Sequence, residues 1–153
     1  MKKLVYPFIL AFLFFSCKKN SIPKTSNVNK VLVEKCYVYV GTPYQFGGAS
    51  KSGMDCSGLI FTAFKEVGKD IPRVSYKQAE YFEEIKKDDI NVGDLIYFKV
   101  KSSRINHTGI ISRIENKDEI YFLHASTSLG VREDNLLSKY WMPKFVKATR
   151  PSI

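Results

Sequence analysis

The chain has 153 residues, 44% of them hydrophobic and 14% aromatic, and a formal net charge of +9. That length suits one domain with a modest core, and that composition excludes a disordered chain. The lysines are scattered, so the charge selects no partner among nucleic acid, anionic lipid and acidic polymer and reads as a solvated basic surface.

At the N-terminus, Lys2 and Lys3 precede an apolar run from Leu4 to Phe15, interrupted only by Tyr6 and Pro7. The run is too short for a bilayer, which needs about twenty residues, and residues 1–16 fit a signal peptide instead. It ends at Ser16-Cys17, just before Lys18-Lys19. A small residue ahead of a cysteine resembles the lipoprotein signal of bacteria, in which Cys17 would be lipidated and become the new N-terminus. An ordinary secretory signal is the alternative. Both readings put the mature chain outside the cytoplasm, in the cell envelope if it is lipidated. Acyl chains on Cys17 would hold it to a membrane surface, at ~0.8 kcal/mol for each buried CH₂. Residues 17–27 read as the lipidated cysteine and a polar tether, and residues 28–153 as the folded domain.

Val28, Val31, Leu32, Cys36, Tyr39 and Val40 recur at helical spacing, which predicts a first helix ending at Gly41. A turn-rich segment follows, Thr42 to Gly48. Apolar residues at Cys56, Leu59, Ile60, Ala63, Phe64 and Val67 predict a second helix, with Asp55 as N-cap and Gly68 just past the end. Ser75 and Gln78 have capping-box spacing and predict a third helix through about Ile85. After the turn Asn91–Asp94 the texture changes to strand formers: Leu95–Val100, His107–Ile114, Glu119–Ala125 and Phe145–Thr149. Helices first and antiparallel strands second argue for an α+β domain with the helices packed on one side of a sheet.

Cys56 opens the apolar stripe of the second helix, at the positive end of its dipole, where a thiolate is favoured. Its backbone N–H is one of the helix's unpaired donors and is free to bind an oxyanion. A thiolate nucleophile needs a base and a group to orient that base. The sequence has two histidines, His107 and His124, both in the predicted hairpin. With Asn116-Lys117 as the turn and Glu115 opposite Asp118, His124 falls opposite Gly109 and on the same face as His107, about 7–8 Å away between Cα atoms. A one-residue slip would send the rings to opposite faces. In the same-face register His107 is the base and His124 holds it by a hydrogen bond. Two other readings of Cys56 rank below the nucleophile: a disulfide with Cys36, whose place on the first helix's stripe suits the core, and then a zinc site, which lacks the usual close ligand pairs.

Six segments in order resemble the NlpC/p60 family of papain-like cell-wall cysteine peptidases: Thr42-Pro43-Tyr44 with Gly47-Gly48; Asp55-Cys56-Ser57-Gly58-Leu59; Pro72 to Gln78; Gly93-Asp94-Leu95; His107-Thr108-Gly109-Ile110; and His124-Ala125-Ser126. Phe46 stands where that family usually has Trp, and Thr108 where a small aliphatic residue is usual. The resemblance implies a circularly rearranged papain-like fold, with Cys56 as nucleophile, His107 as general base and His124 as third polar residue. It implies that Tyr44 helps hold the oxyanion and that Asp55, Ser57, Arg73, Ser75 and Gln78 line the groove. Helix capping is a second role for Asp55 and Ser75. The implied substrate is the peptide stem of peptidoglycan, cut at the amide between γ-linked D-glutamate and the diamino acid through a thioester. No metal or other cofactor and no nucleic-acid partner is expected, and the chain is expected to be a monomer. A related amidase or acyltransferase, or an idle wall-binding lipoprotein, are the alternatives.

Overall fold

The computed structural model describes residues 27–152, so the predicted leader, Cys17 and the tether up to residue 26 lie outside the described residues. Helix α1 spans Asn27–Tyr37 and buries Leu32, Val33 and Cys36. It ends before the predicted Gly41 because residues 38–41 turn, with the Tyr39 N–H bonded to the Cys36 carbonyl and Gly41 at φ +85°. After two short strands, β1 (Ala49–Ser50) and β2 (Gly53–Met54), α2 runs over Cys56–Glu66 as its spacing predicts. Its end is closed by two returning bonds, Gly68 N–H to the Lys65 carbonyl and Lys69 N–H to the Phe64 carbonyl. Gly68 takes the positive φ, +74°, that such a closure requires and that glycine adopts at little cost.

The predicted third helix is only one turn, α3 (Ser75–Gln78). The Gln78 amide does not reach back to cap it. Its Nε2 donates to the carbonyls of Ser57 and Pro72, at 3.1 and 2.9 Å, and the N-cap residue is Val74. Residues Glu83–Ile85, expected to continue that helix, form strand β3 because β8 supplies them with backbone partners. The remaining strands are β4 (Leu95–Phe98), β5 (His107–Asn116), β6 (Glu119–Ser126), β7 (Gly130–Asn135) and β8 (Phe145–Arg150). They form one antiparallel sheet in the order β3-β8-β4-β5-β6-β7.

The β5–β6 turn is Lys117-Asp118, with Asn116 opposite Glu119, one position on from the predicted turn. Two register shifts along the hairpin, between Ile111 and Arg113 and between Ile114 and Asn116, absorb the difference. By Ile111↔Phe122 and Ile110↔Leu123 the pairing is the expected one, so His107 and His124 do share a face.

Both faces of the sheet are covered. On one, α1 and α2 bury Leu59, Ile60 and Phe64 against Leu95, Tyr97, Ile110 and Leu123. On the other, Leu136 and Trp141, in the segment after β7, close over Ile96, Phe98, Ile111 and Phe122. Each such side chain removed from water contributes about 1.5–3 kcal/mol. Strand β4, buried along its whole length, therefore reads as an unbroken apolar run rather than an alternating one.

The β4 end of the sheet is tied by Asp94, which is wholly buried. Its carboxylate accepts from the Asn91 N–H at 2.6 Å and from Arg150 Nε and Nη2 at 2.9 and 2.8 Å, which binds β4 to the end of β8. Replacing Asp94 with Ala leaves a guanidinium without its carboxylate and a backbone donor without its acceptor. Chemical unfolding should show a loss of about 3 kcal/mol, with Asp94→Asn losing less.

Candidate active site

Asp55 caps α2 and fixes the segments around Cys56. Its Oδ1 accepts from the Gly58 N–H at 2.6 Å and the Ser57 hydroxyl at 3.1 Å, and its Oδ2 from the Gly47 N–H at 2.8 Å. Arg73 donates to both oxygens, at 2.9 and 3.0 Å, and also to the Gly48 carbonyl and the Ser57 hydroxyl. Burial works to raise the Asp55 pKa, but Arg73 and the N–H groups of Gly58 and Gly47 outweigh it and hold the carboxyl below its ordinary value. Gly58 lies in the first turn of α2, a poor place for glycine on propensity. A Cβ there would collide with the Gly48 carbonyl oxygen and crowd Arg73 Nη2, so close approach explains it. Asp55, Ser57, Arg73 and Gln78 thus form a connected polar support under the cysteine.

Above that support is an open cavity of about 430 Å³, whose wall includes Tyr44, Cys56, Arg73, Ser75, Tyr76 and Arg104. Burial, with the Asp55 charge adding to it, raises the Tyr44 phenol, which keeps its proton available for donation. Phe46, 89% exposed, stands at the rim.

Both Cys36 and Cys56 are free thiols, so the disulfide reading is set aside; Cys36 is wholly buried in the core. The Cys56 sulfur lies 3.9 Å from the Asn106 carbonyl oxygen and accepts from the Thr108 N–H, so it rests against the backbone on either side of His107. The helix-start donors reach it too, through the N–H groups of Ser57 and Cys56 itself. The expected preference for thiolate is nonetheless reversed. Burial pushes the thiol up to about 11, with Asp55 adding to the rise, and the N–H donors only partly offset this.

The histidines sit at the end of the sheet. Strand alternation sets His107 and His124 with Ile111 and Phe122, on the face opposite α2, and neither ring is on the cavity wall. As the first residue of β5, His107 directly follows Asn106, whose carbonyl oxygen lies 3.9 Å from the Cys56 sulfur. His107 Nε2 and His124 Nδ1 are 3.0 Å apart, the predicted hydrogen bond. His107 stacks on Trp141, with ring centroids 5.1 Å apart. Burial lowers the His107 pKa to about 3, so the resting ring is neutral and able to accept a proton.

Sequence reasoning missed Asp134. Its Oδ2 lies 3.0 Å from His124 Nε2 and accepts from Trp141 Nε1 at 3.0 Å, while Oδ1 meets Arg132 Nη2 at 2.8 Å. Burial again works to raise its pKa, but the bonds from His124 and Trp141 and the charge of Arg132 hold it low. Asp134 lies on β7, whose sequence GVREDN has few strand formers. The signal was the Gly130 turn: with His124 opposite Arg132, Asp134 becomes its same-face diagonal neighbour.

The His107 shift has a consequence for acid stability. The unfolded ring titrates near its ordinary 6.5 and the folded one near 3, so the unfolded chain binds more protons between those values. The stabilisation is complete above about pH 6.5 and declines as pH falls. Melting temperature should therefore drop from pH 6.5 to 5, above the range in which most carboxylates titrate, and drop less in His107→Gln.

Residues 41–150 match the NlpC/P60 family. The Escherichia coli protein named "Probable endopeptidase NlpC" is 32% identical over 151 residues, covering 93% of this chain and 95% of that one. The Escherichia coli "Murein DD-endopeptidase MepS/Murein LD-carboxypeptidase" is 31% identical over 131 residues, covering 85% of this chain and 66% of its own. The crystal structure of a lipoprotein-like NLP/P60 protein from Staphylococcus aureus is similar at a TM-score of 0.69 and 32% identity, over 82% of this chain and 41% of that one. The cysteine at the head of α2, the paired histidines on β5 and β6 and the span of the match agree: the chain belongs to the NlpC/P60 family.

Proposed function

We propose that the chain is a cysteine endopeptidase that hydrolyses an amide bond in the peptide stem of peptidoglycan. The observation that carries this reading is Cys56 in the wall of an open cavity, its sulfur against the backbone that bears a neutral, hydrogen-bonded histidine. The relative named a murein DD-endopeptidase supports the substrate class.

In this reading the resting thiol is activated by a base rather than held as an ion pair. His107 takes the Cys56 proton as the sulfur attacks the carbonyl carbon. The oxyanion meets the Cys56 backbone N–H and the Tyr44 hydroxyl. His107 then gives the proton to the departing amine, the C–N bond breaks and a thioester remains. Water, deprotonated by His107, attacks the thioester and releases the acid and the thiol.

The cavity wall also suggests how the stem is held. The Arg73 guanidinium is committed to Asp55. Arg104, resting 4.9 Å from the Tyr76 ring centroid, is the wall cation without a carboxylate partner among the described residues. It suits a free carboxylate of the stem, such as the one that γ-linked D-glutamate keeps beside the bond to the diamino acid. The scissile bond in this proposal is that γ-D-glutamyl amide. Export, and anchoring to a membrane through lipid on Cys17, complete the reading and follow from residues 1–17.

Two measurements test it. Mass spectrometry of muropeptides with defined stems should show cleavage by the native protein and a loss of at least about 10³-fold in Cys56→Ala. Undiminished product release by that variant would remove Cys56 from the chemistry. Arg104→Ala should raise KM about tenfold and leave kcat within about threefold, the pattern of a lost binding contact.

A further inference from the structure

We propose that Asp134 is a positioning residue that fixes the protons of the histidine pair, so that Nδ1 of His107 is the nitrogen that serves as base. The inference rests on the peptidase reading only for the use made of that nitrogen; the proton arrangement itself is independent of it.

The arrangement follows from the bonds at one carboxylate. An ionised carboxylate only accepts, so His124 must carry a proton on Nε2 to bond Asp134 Oδ2 at 3.0 Å. Two states of His124 satisfy this. As an imidazolium it would also hold a proton on Nδ1 and donate to His107 Nε2, forcing the neutral His107 to keep its own proton on Nδ1. As a neutral ring its Nδ1 is an acceptor, and His107 must donate from Nε2 across the 3.0 Å contact. Charge balance decides between them. His124 is 1% exposed and packed against Phe122 and Trp141, and the Asp134 charge is already matched by Arg132 at 2.8 Å. A second cation in that apolar setting would have no anion of its own.

With His124 neutral, the chain of donors runs one way, from His107 Nε2–H to His124 Nδ1 and from His124 Nε2–H to Asp134. His107 Nδ1 is left with a free lone pair. It is the ring nitrogen closer to its own backbone, and the Cys56 sulfur rests on that backbone, between the Asn106 carbonyl and the Thr108 N–H. Trp141 secures the device twice, by donating to Asp134 Oδ2 and by stacking on the His107 ring at an interplanar angle of 16°. Only a carboxylate can accept from His124, Trp141 and Arg132 together. An asparagine would turn its NH₂ toward at least one of these donors, and turned toward His124 it would reverse both rings and put a proton on His107 Nδ1.

Nitrogen-15 NMR of histidine-labelled protein reads the tautomers directly, because protonated and unprotonated ring nitrogens differ widely in shift and coupling. The native protein near pH 7 should show both histidines protonated on Nε2. In Asp134→Asn a His107 form protonated on Nδ1 should appear, and kcat on defined muropeptides should fall about 10²-fold with KM nearly unchanged, since Asp134 is not on the cavity wall. Asp134→Glu should restore much of both. A native His107 protonated on Nδ1, or a variant with native tautomers and native kcat, overturns the proposal. Native tautomers as expected in a protein inert on every muropeptide would instead defeat the peptidase reading and uphold the proton arrangement. If Asp134→Asn fails to fold, the native spectrum alone still decides.

Discussion

The carboxylate of Asp55 accepts five hydrogen bonds, from the loop at Gly47, from Ser57 and Gly58 in the first turn of α2, and from both ends of the Arg73 guanidinium. These bonds join the segments that flank Cys56. Gly47 lies between Tyr44 and β1, Arg73 precedes α3, and α2 begins between them, so three of the four segments that line the cavity share one anchor. The pairing is partly buried and bidentate, the geometry in which an ion pair adds direction as well as energy. Glycine at position 58 belongs to the same arrangement, because only a residue without a side chain lets the Gly48 carbonyl and Arg73 come this close.

On this anchor the protein builds a site that is electrically quiet at rest. The thiol keeps its proton because burial outweighs the backbone N–H donors at the sulfur, and burial likewise keeps His107 neutral. Asp55 and Asp134, which are charged, are each matched by an arginine within 3 Å. In the proposed mechanism, charge separation between sulfur and ring is deferred to the moment a substrate occupies the cavity. Preorganised N–H donors at Thr108 and Ser57 wait at the sulfur to receive it.

Much of this was legible in the sequence, for reasons that differ between elements. The second helix declared itself three times, in its stripe, its Asp55 cap and its Gly68 closure, and all three signals are local. The histidine register came out on the correct face although the turn was displaced, because two register shifts in the hairpin restored the pairing before Ile111. Where local and tertiary signals competed, the tertiary one won. Gln78 had the spacing of a cap but found the Ser57 and Pro72 carbonyls instead, and residues 83–85 exchanged a helical pattern for a strand partner. Dipole reasoning at Cys56 was outweighed by burial, which the apolar stripe that Cys56 opens already announced. Asp134 was hidden by an unrecognised strand; once β7 is drawn beside β6, the spacing rule that linked the two histidines finds it as well.

Strand β8 pairs with β4 on one side and β3 on the other, inside the sheet rather than at its margin. Every residue of the cavity and of the histidine chain is synthesised before it. A nascent chain that has not yet delivered residues 145–150 to the ribosome exit holds two strands with vacant hydrogen-bonding edges and Asp94 without Arg150. Closure of the sheet thus waits for residues 145–150, although the strands that carry the histidines and Asp134 are made before them.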